Sequence, residues 1–403
     1  MVLDQLSQQR EQNWQSLWNR GLVSLYIILY FLDGVTRYKH IVSALLFITA
    51  IVYLYKYKAE FFVTLKNNIT LATLIFVASV VYGIVISFDV HYSIGKAGNA
   101  VFEKVIAIAL SIAVVLHKES AKDIARTFIY ALIVAILPLA VADAWQYLEE
   151  YKNGHLPLTT FNHKYKSDAV IFMMPALLFL WKSKHKLVFT ALALILGLII
   201  IGTMQRGTWL AIALTSCLWA IINREWKLPL LAVVIFSLFV AVGHQKSPEH
   251  FTKFFSKLQQ TDSSNRYGNG TQGSALDLIK ENPIKGYGYG DEIFYRVYND
   301  RVDDYPQWIA RVSIGPHNLT LAAWFAGGIF GLAALWYLLI SVGKACVSGY
   351  KRTDDVIKAA WLTLGLILAG DFFVRGAFET VNISNLGVLL GFALALRAKQ
   401  KQL

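Results

Sequence analysis

Residues 127–146 read TFIYALIVAILPLAVADAWQ, a predominantly apolar run. About 20 such residues in a helix cross a bilayer core of roughly 30 Å. Eleven further stretches are candidates of the same kind: roughly 21–36, 41–55, 69–87, 99–116, 169–181, 187–203, 207–222, 228–243, 317–341, 357–374 and 381–396. Several are short, and 169–181 is the weakest, with Pro175 inside it. Tilted or half-length helices accommodate such segments. The expectation is an all-α polytopic membrane protein with about twelve transmembrane helices.

Composition agrees. Of 403 residues, 56% are hydrophobic and 16% charged, against roughly 25% charged in a soluble domain. A chain of this length could hold two or three soluble domains, but so apolar a composition suits a surface that faces lipid. Disorder and a collagen-like repeat are excluded. Two cysteines, Cys217 and Cys346, leave no disulfide framework and no cysteine-rich metal site. There is no CxxC, no HExxH and no phosphate-binding GxxxxGK[ST]. The GYGYG run at 286–290 has the look of a potassium filter, yet it lies in a polar stretch without a flanking pore helix. The net charge of +12 is scattered over the segments between spans, so it does not form a nucleic-acid face.

The distribution of Lys and Arg sets the orientation. With the N-terminus inside, twenty of the 38 basic residues fall in inner segments, nine in short outer segments and span ends, and nine in one long outer loop. Both termini are therefore expected in the cytoplasm, consistent with an even number of spans. The chain then divides into 1–243 (nine spans), an outer loop 244–316, and 317–403 (three spans). Residues 1–20 are polar and carry no signal-peptide pattern; Trp14 and Trp18 suit the membrane interface. In the long loop, Ser274–Asn282 reads as a short amphipathic helix capped by Ser274, with Asp277 at its favourable end, and stopped by Pro283. Gly286, Gly288 and Gly290 follow, where the chain turns tightly or approaches something closely. A smaller outer loop, 147–168, carries His155, His163, Lys164 and Lys166.

Ionisable groups among the spans are costly and mark functional candidates. Arg206, in GTMQRGTWL, lies between two spans with no room for a loop. It either snorkels to headgroups or forms an anion site, for which its planar fork suits phosphate oxygens and Gly207 allows close approach. His317, in SIGPHNLTLAAWFAGGIFG, stands at the start of the tenth span, as an interface residue or beside an anion at the helix N-terminus. Gly327, Gly328 and Gly331 make a small-residue face for close helix packing. Asp371, in LAGDFFVRGAFE, either pairs with Arg375 four residues on or serves the chemistry, and Glu379 is nearby. Arg266, in DSSNRYGNG, is either solvated or held by a shaped turn. The expected topology places Arg206, Arg266, His317 and Asp371 on one side of the membrane. Two cations, an imidazole and a carboxylate could there form a site for a diphosphate and a proton transfer.

These residues carry a resemblance. Over nearly its full length the chain resembles the lipopolysaccharide O-antigen ligases, whose superfamily also holds O-antigen polymerases and bacterial O-oligosaccharyltransferases. The family pattern H-[NSQ]-x9-G-x-x-[GTY] is matched completely by His317, Asn318, Gly328 and Gly331. Arg206 in QRG resembles the family's membrane arginine, and Arg266, followed by ALDLIKENPIKGYGYG, its loop arginine. Asp371 matches the late acidic residue by order and approximate spacing. The resemblance implies an inverting glycosyltransferase of the Gram-negative inner membrane, with its site facing the periplasm and 244–316 as a periplasmic loop. It implies that polysaccharide moves from undecaprenyl diphosphate to a sugar hydroxyl of lipid A–core, without metal or other cofactor. Arg206 and Arg266 would hold the diphosphate, and His317 would act as base or hydrogen-bond the diphosphate. Asp371 would orient His317, pair an arginine or act as the base. A polymerase or protein O-oligosaccharyltransferase shares the donor. A lipid-linked glycan transporter would use the same pocket without chemistry, but such proteins commonly show two related halves, and no such repeat is visible here.

Overall fold

The computed structural model describes residues 2–155, 163–246, 256, 265–351 and 354–400. Most of 247–264, in the expected long loop, and 156–162, in the smaller one, lie outside the described residues. Among the described residues every regular element is helical. In chain order these are α1 (Val2–Tyr30), α2 (Thr36–Thr64), α3 (Asn68–Val85) and α4 (Val90–Ala97). A π-helical stretch, Gly98–Ala107, leads into α5 (Ile108–Val115), and α6 (Ala121–Lys152) and α7 (Ser167–Leu178) follow. Next come α8 (Lys186–Gly202), α9 (Arg206–Asn223), α10 (Lys227–Lys246), α11 (Thr271–Glu281) and α12 (Asp291–Arg301). The chain closes with α13 (Leu319–Lys351), α14 (Asp355–Ile367), a π-helical stretch Leu368–Val374, a 3₁₀ turn Arg375–Ala377 and α15 (Asn385–Gln400).

The twelve apolar stretches all fall largely on helix. Seven helical segments are individually long and apolar enough to cross a membrane: α2, α3, α4 through α5, α6, α10, α13, and Asp355–Ala377. The other five stretches lie on α1, α7, α8, α9 and α15, which are shorter or more polar over their length. Helix α15 shows one reason a core helix can be short. Every residue from Asn385 to Leu396 is buried, so it is wrapped by α5, α6, α13 and the Gly98–Ala107 stretch; an all-round apolar helix belongs in a protein interior. Its Phe392 packs on Phe128, with ring centroids 4.6 Å apart. Helix α10 is the opposite case. It touches α9 and leaves Leu230, Val233, Leu238 and Val242 exposed, a surface suited to hydrocarbon.

Capping groups fix several helix starts. Asn67 accepts from the N–H groups of Ile69 and Thr70, Ser120 from Asp123, and Asp354 from Val356. The expected Ser274–Asn282 helix begins earlier, at Thr271. Ser274 does not cap it: its hydroxyl lies inside the first turn and donates back to the Gly270 carbonyl at 2.9 Å, the alternative such side chains offer the backbone.

Candidate active site

The long helix α13 is broken near its start. Gly327 has φ −123°, ψ 15° and Gly328 φ 60°, ψ −153°, the latter a region that only glycine adopts readily. The break releases backbone groups, and the GYGYG segment takes them up. Tyr287 N–H donates to Phe325 O at 2.8 Å, Gly288 N–H to Ala326 O at 3.0 Å, and Ile329 N–H to Ile284 O at 3.3 Å. Tyr289 N–H then reaches Gly83 O on α3 at 3.1 Å. A Cβ on Gly328 would overlap the Ile284 carbonyl, and one on Gly331 the Ala323 carbonyl. Gly328 of the His-Asn motif and Gly286 of GYGYG, whose Cβ would meet the Gly328 nitrogen, therefore serve one contact. That contact seats α11 and α12 on the bundle, where Phe294 packs edge-on to Phe325 at 4.9 Å and Tyr287 stacks on it at 4.7 Å.

His317 precedes α13, outside the helix, with φ 45°, and Asn318 caps α13 by accepting from Leu321 N–H at 3.0 Å. Both are held against the turn that follows Arg375. Asn318 Nδ2 donates to Ala377 O at 3.2 Å. Gln272 Nε2, from the first turn of α11, donates to Ala377 O at 2.9 Å and to His317 O at 3.1 Å. Arg266 Nη1 donates to Phe378 O at 2.7 Å. One residue on, Glu379 Oε1 accepts from Gly207 N–H at 3.2 Å, and its Oε2 from Arg375 Nε at 3.0 Å. The stretch 375–379 is thus the meeting point of Arg266, Gln272, His317, Asn318 and the amino end of α9, whose first residue is Arg206. Arg206, Arg266 and His317 are each half-buried. Burial, and then the Arg266 guanidinium, hold the His317 imidazole below its usual range, with Glu379 pulling the other way and Lys164 adding to the depression.

A second cluster fixes the corner before α9. His163 is fully buried, with Nδ1 2.5 Å from Asp143 and Nε2 3.2 Å from Glu150. Lys166 pairs with the same Asp143, and Tyr147 lies over the His163 ring at 4.1 Å. His163 N–H donates to Gly202 O at 3.0 Å, and Ser167 Oγ to Gln205 Oε1 at 2.6 Å. These contacts tie α6 and α7 to the Gly202–Arg206 corner and present exposed Lys164 beside the site.

Asp371 is placed differently from the three basic residues. It is fully buried and accepts from Arg375 Nη1 at 2.8 Å and from Asn385 Nδ2 at 2.9 Å. Arg375 also pairs with Asp168 on α7, and Asn385 accepts from Tyr30 at 2.9 Å. Of the roles open to Asp371, the geometry realises the pairing of an arginine, Arg375. The carboxylate among the site's other groups is Glu379. Gln272 and Lys164 also belong to the site. In the sequence Gln272 is one polar residue among many, and its importance comes only from the two carbonyls it bridges.

Beside Asn318 a cavity of about 470 Å³ opens between α3, α13 and the 380–384 strand of chain. Phe76, Val80, Phe325 and Leu335 give it apolar walls, and Lys104 and the Lys96–Asp291 ion pair, 2.8 Å across, line it as well.

Residues 191–336, from α8 through the His-Asn motif and the α13 break, match the family described as O-antigen ligase. The chain is also 41% identical over 396 residues to an O-antigen ligase of Salmonella typhimurium strain LT2, covering 96% of this chain and 97% of the relative.

Proposed function

The chain belongs to the O-antigen ligase family, and on that premise we propose that it moves O-antigen polysaccharide from undecaprenyl diphosphate to a sugar hydroxyl of lipid A–core. The transfer takes place at the periplasmic face of the Gram-negative inner membrane. The observation that carries the reading is the gathering of Arg206, Arg266 and His317 about the 375–379 turn, beside a largely apolar cavity.

The chemistry follows from those groups. The bond between the anomeric carbon and the diphosphate oxygen breaks, and the acceptor oxygen attacks the same carbon from the opposite face, with inversion. Charge builds on the departing diphosphate. Arg206 and Arg266 stabilise it, supplying the positive charge that a divalent ion supplies in other transferases. A preorganised donor of this kind contributes about 2.7–4 kcal/mol to the transition state. Neutral His317 takes the acceptor's proton, and its depressed basicity keeps it neutral and available at neutral pH. Asp371 acts at one remove, by holding Arg375, whose Nε grips Glu379.

Deletion of the gene in a smooth Gram-negative host tests the proposal. Lipopolysaccharide on a gel should lose O-antigen while lipid-linked polymer persists. Core carrying a single repeat unit would instead point to a polymerase, and donor trapped on the cytoplasmic side to a transporter. Complementation with Arg206→Ala, Arg266→Ala or His317→Ala should leave inserted protein without transfer.

A further inference from the structure

Gly207 is the residue beside Arg206 at which a ligand anion could come close. In this structure the anion against it belongs to the chain. A Cβ at Gly207 would overlap the Glu379 carboxylate, which accepts the Gly207 N–H at the amino end of α9. A helix N-terminus favours such a group, and Glu379 is 16% exposed at its side chain, so the contact is sheltered from water. The other carboxylate oxygen is gripped by Arg375, itself anchored to Asp168 and Asp371. The backbone carbonyls immediately before Glu379 hold Arg266, Gln272 and Asn318.

We infer that Glu379 is a positioning residue for glycosyl transfer, its carboxylate tying the amino end of α9, and with it Arg206, to the turn that holds Arg266 and the His317–Asn318 backbone. Helix α9 also packs along the Leu368–Val374 stretch, and the Glu379 contact sets where its first turn, with Arg206, meets the turn beyond it. Without it, α9 stays packed on Leu368–Val374 but its first turn loses the polar link that sets Arg206 against Arg266. The inference rests on the reading of this site as one that binds a prenyl diphosphate.

The test uses full-length protein in proteoliposomes, with Glu379→Ala, Glu379→Asp and Glu379→Gln. Affinity for undecaprenyl diphosphate is measured by titration, and transfer from a lipid-linked glycan donor by initial rates across pH. Glu379→Ala should weaken undecaprenyl diphosphate binding and lower kcat/KM for the donor about ten- to hundredfold, the scale of a lost hydrogen bond to a charged group. Glu379→Gln keeps an acceptor for the Gly207 N–H and should recover most of that loss, as should Glu379→Asp. Glu379→Gln also removes a negative charge facing His317, leaving Arg266 and Lys164 as the charged groups that face it. The acid limb of its pH profile should therefore move to lower pH. A well-folded Glu379→Ala with wild-type affinity and kcat/KM would overturn the inference. So would Glu379→Ala and Glu379→Gln equally impaired with an unmoved acid limb, because that pattern belongs to a residue needed only for folding. If Glu379→Ala fails to fold, the near-isosteric Glu379→Gln carries the test: its unmoved limb overturns the inference. Wild-type protein that binds undecaprenyl diphosphate but moves no glycan would sink the transferase reading alone, and an affinity loss in Glu379→Ala would still support the positioning role.

Discussion

His317 combines two conditions that a general base needs. Its backbone stands at φ 45°, a conformation uncommon outside glycine and more accessible to histidine than to most residues. Its surroundings then favour the neutral form. Burial comes first, followed by Arg266, with Lys164 in the same sense and Glu379 opposed. The sign is definite: a histidine depressed below its ordinary value of about 6.5 stays unprotonated until the solution is more acidic than that. Transfer by the wild-type protein, followed by initial rates between about pH 5 and 8, should fall on the acid side with a midpoint below about pH 6.5. A midpoint at or above that value would assign the titration to another group. Arg206 was legible in the sequence as a charge among apolar spans and His317 as a histidine in a long spaced motif, whereas Arg266, in a polar loop, stood out only through its resemblance to the family's loop arginine. Glu379 was visible only as an acidic neighbour of Asp371. Its partner Gly207 is 172 residues away, and no local pattern connects a carboxylate to a backbone N–H at that distance. Asp371 shows the converse. Its i,i+4 relation to Arg375 was plain, and the ion pair it suggested is the one formed.

Among the elements, the broken start of α13 does the most to build the site. The two glycine clusters, one suited to helix packing and one to a tight turn, carry no sign in the sequence that Gly286 of one meets Gly328 of the other. Backbone pairing between the 284–288 segment and Phe325, Ala326 and Ile329 joins them. It holds α11, and hence Gln272, over the 375–379 turn. The neighbouring glycines Gly327 and Gly328 make this testable, because they differ in what they require. At Gly328 a side chain meets a φ of +60° and the Ile284 carbonyl. The backbone strain alone costs about 1–3 kcal/mol. At Gly327 φ is −123°, and the nearest atom to an added Cβ is 3.6 Å away, an ordinary contact. Gly328→Ala should therefore lower the melting temperature of the detergent-solubilised protein and open residues 265–316 to protease, with transfer lost. Gly327→Ala should leave melting, proteolysis and transfer close to wild type. Equal effects at the two positions would mean that the small-residue face, not the break, is what the glycines serve. The Ser274 reading failed at this scale for a related reason. A serine at the right spacing can cap a helix or bond within its first turn, and here the helix starts at Thr271, with Gln272 as its second residue reaching carbonyls elsewhere in the fold.

At the scale of the whole molecule, the composition that first indicated a membrane protein also predicts its orientation. Apolar exposure on α10 and on α2, where Ile41, Ile48, Ile51 and Val52 are outside, is the surface that lipid would cover. A count of apolar runs overstates how many helices can cross alone, because hydropathy records how apolar a segment is and not whether lipid or protein surrounds it. Helix α15 is apolar for the second reason, α10 for the first. Orientation depends instead on the short segments between helices. Lys56, Lys58, Lys118, Lys122, Lys182, Lys184 and Lys344 belong to the expected inner set, and Lys118 and Glu60 pair at 2.7 Å, joining the end of α2 to the start of α6 at one end of the bundle. The site lies with the segments expected at the opposite end. In the positive-inside rule, basic residues in short loops resist translocation while long loops pass regardless of charge, so the nine basic residues of 244–316 do not oppose an outward site. Single cysteines at exposed positions decide the matter once Cys217 and Cys346 are replaced by serine. In intact cells whose outer membrane has been permeabilised, Asp303→Cys should react with a membrane-impermeant maleimide, and Lys184→Cys should react only after the inner membrane is opened. The reverse pattern would put Arg206, Arg266 and His317 on the cytoplasmic side, where a periplasmic donor and acceptor could not reach them, and the proposed reaction would have to be abandoned together with the topology.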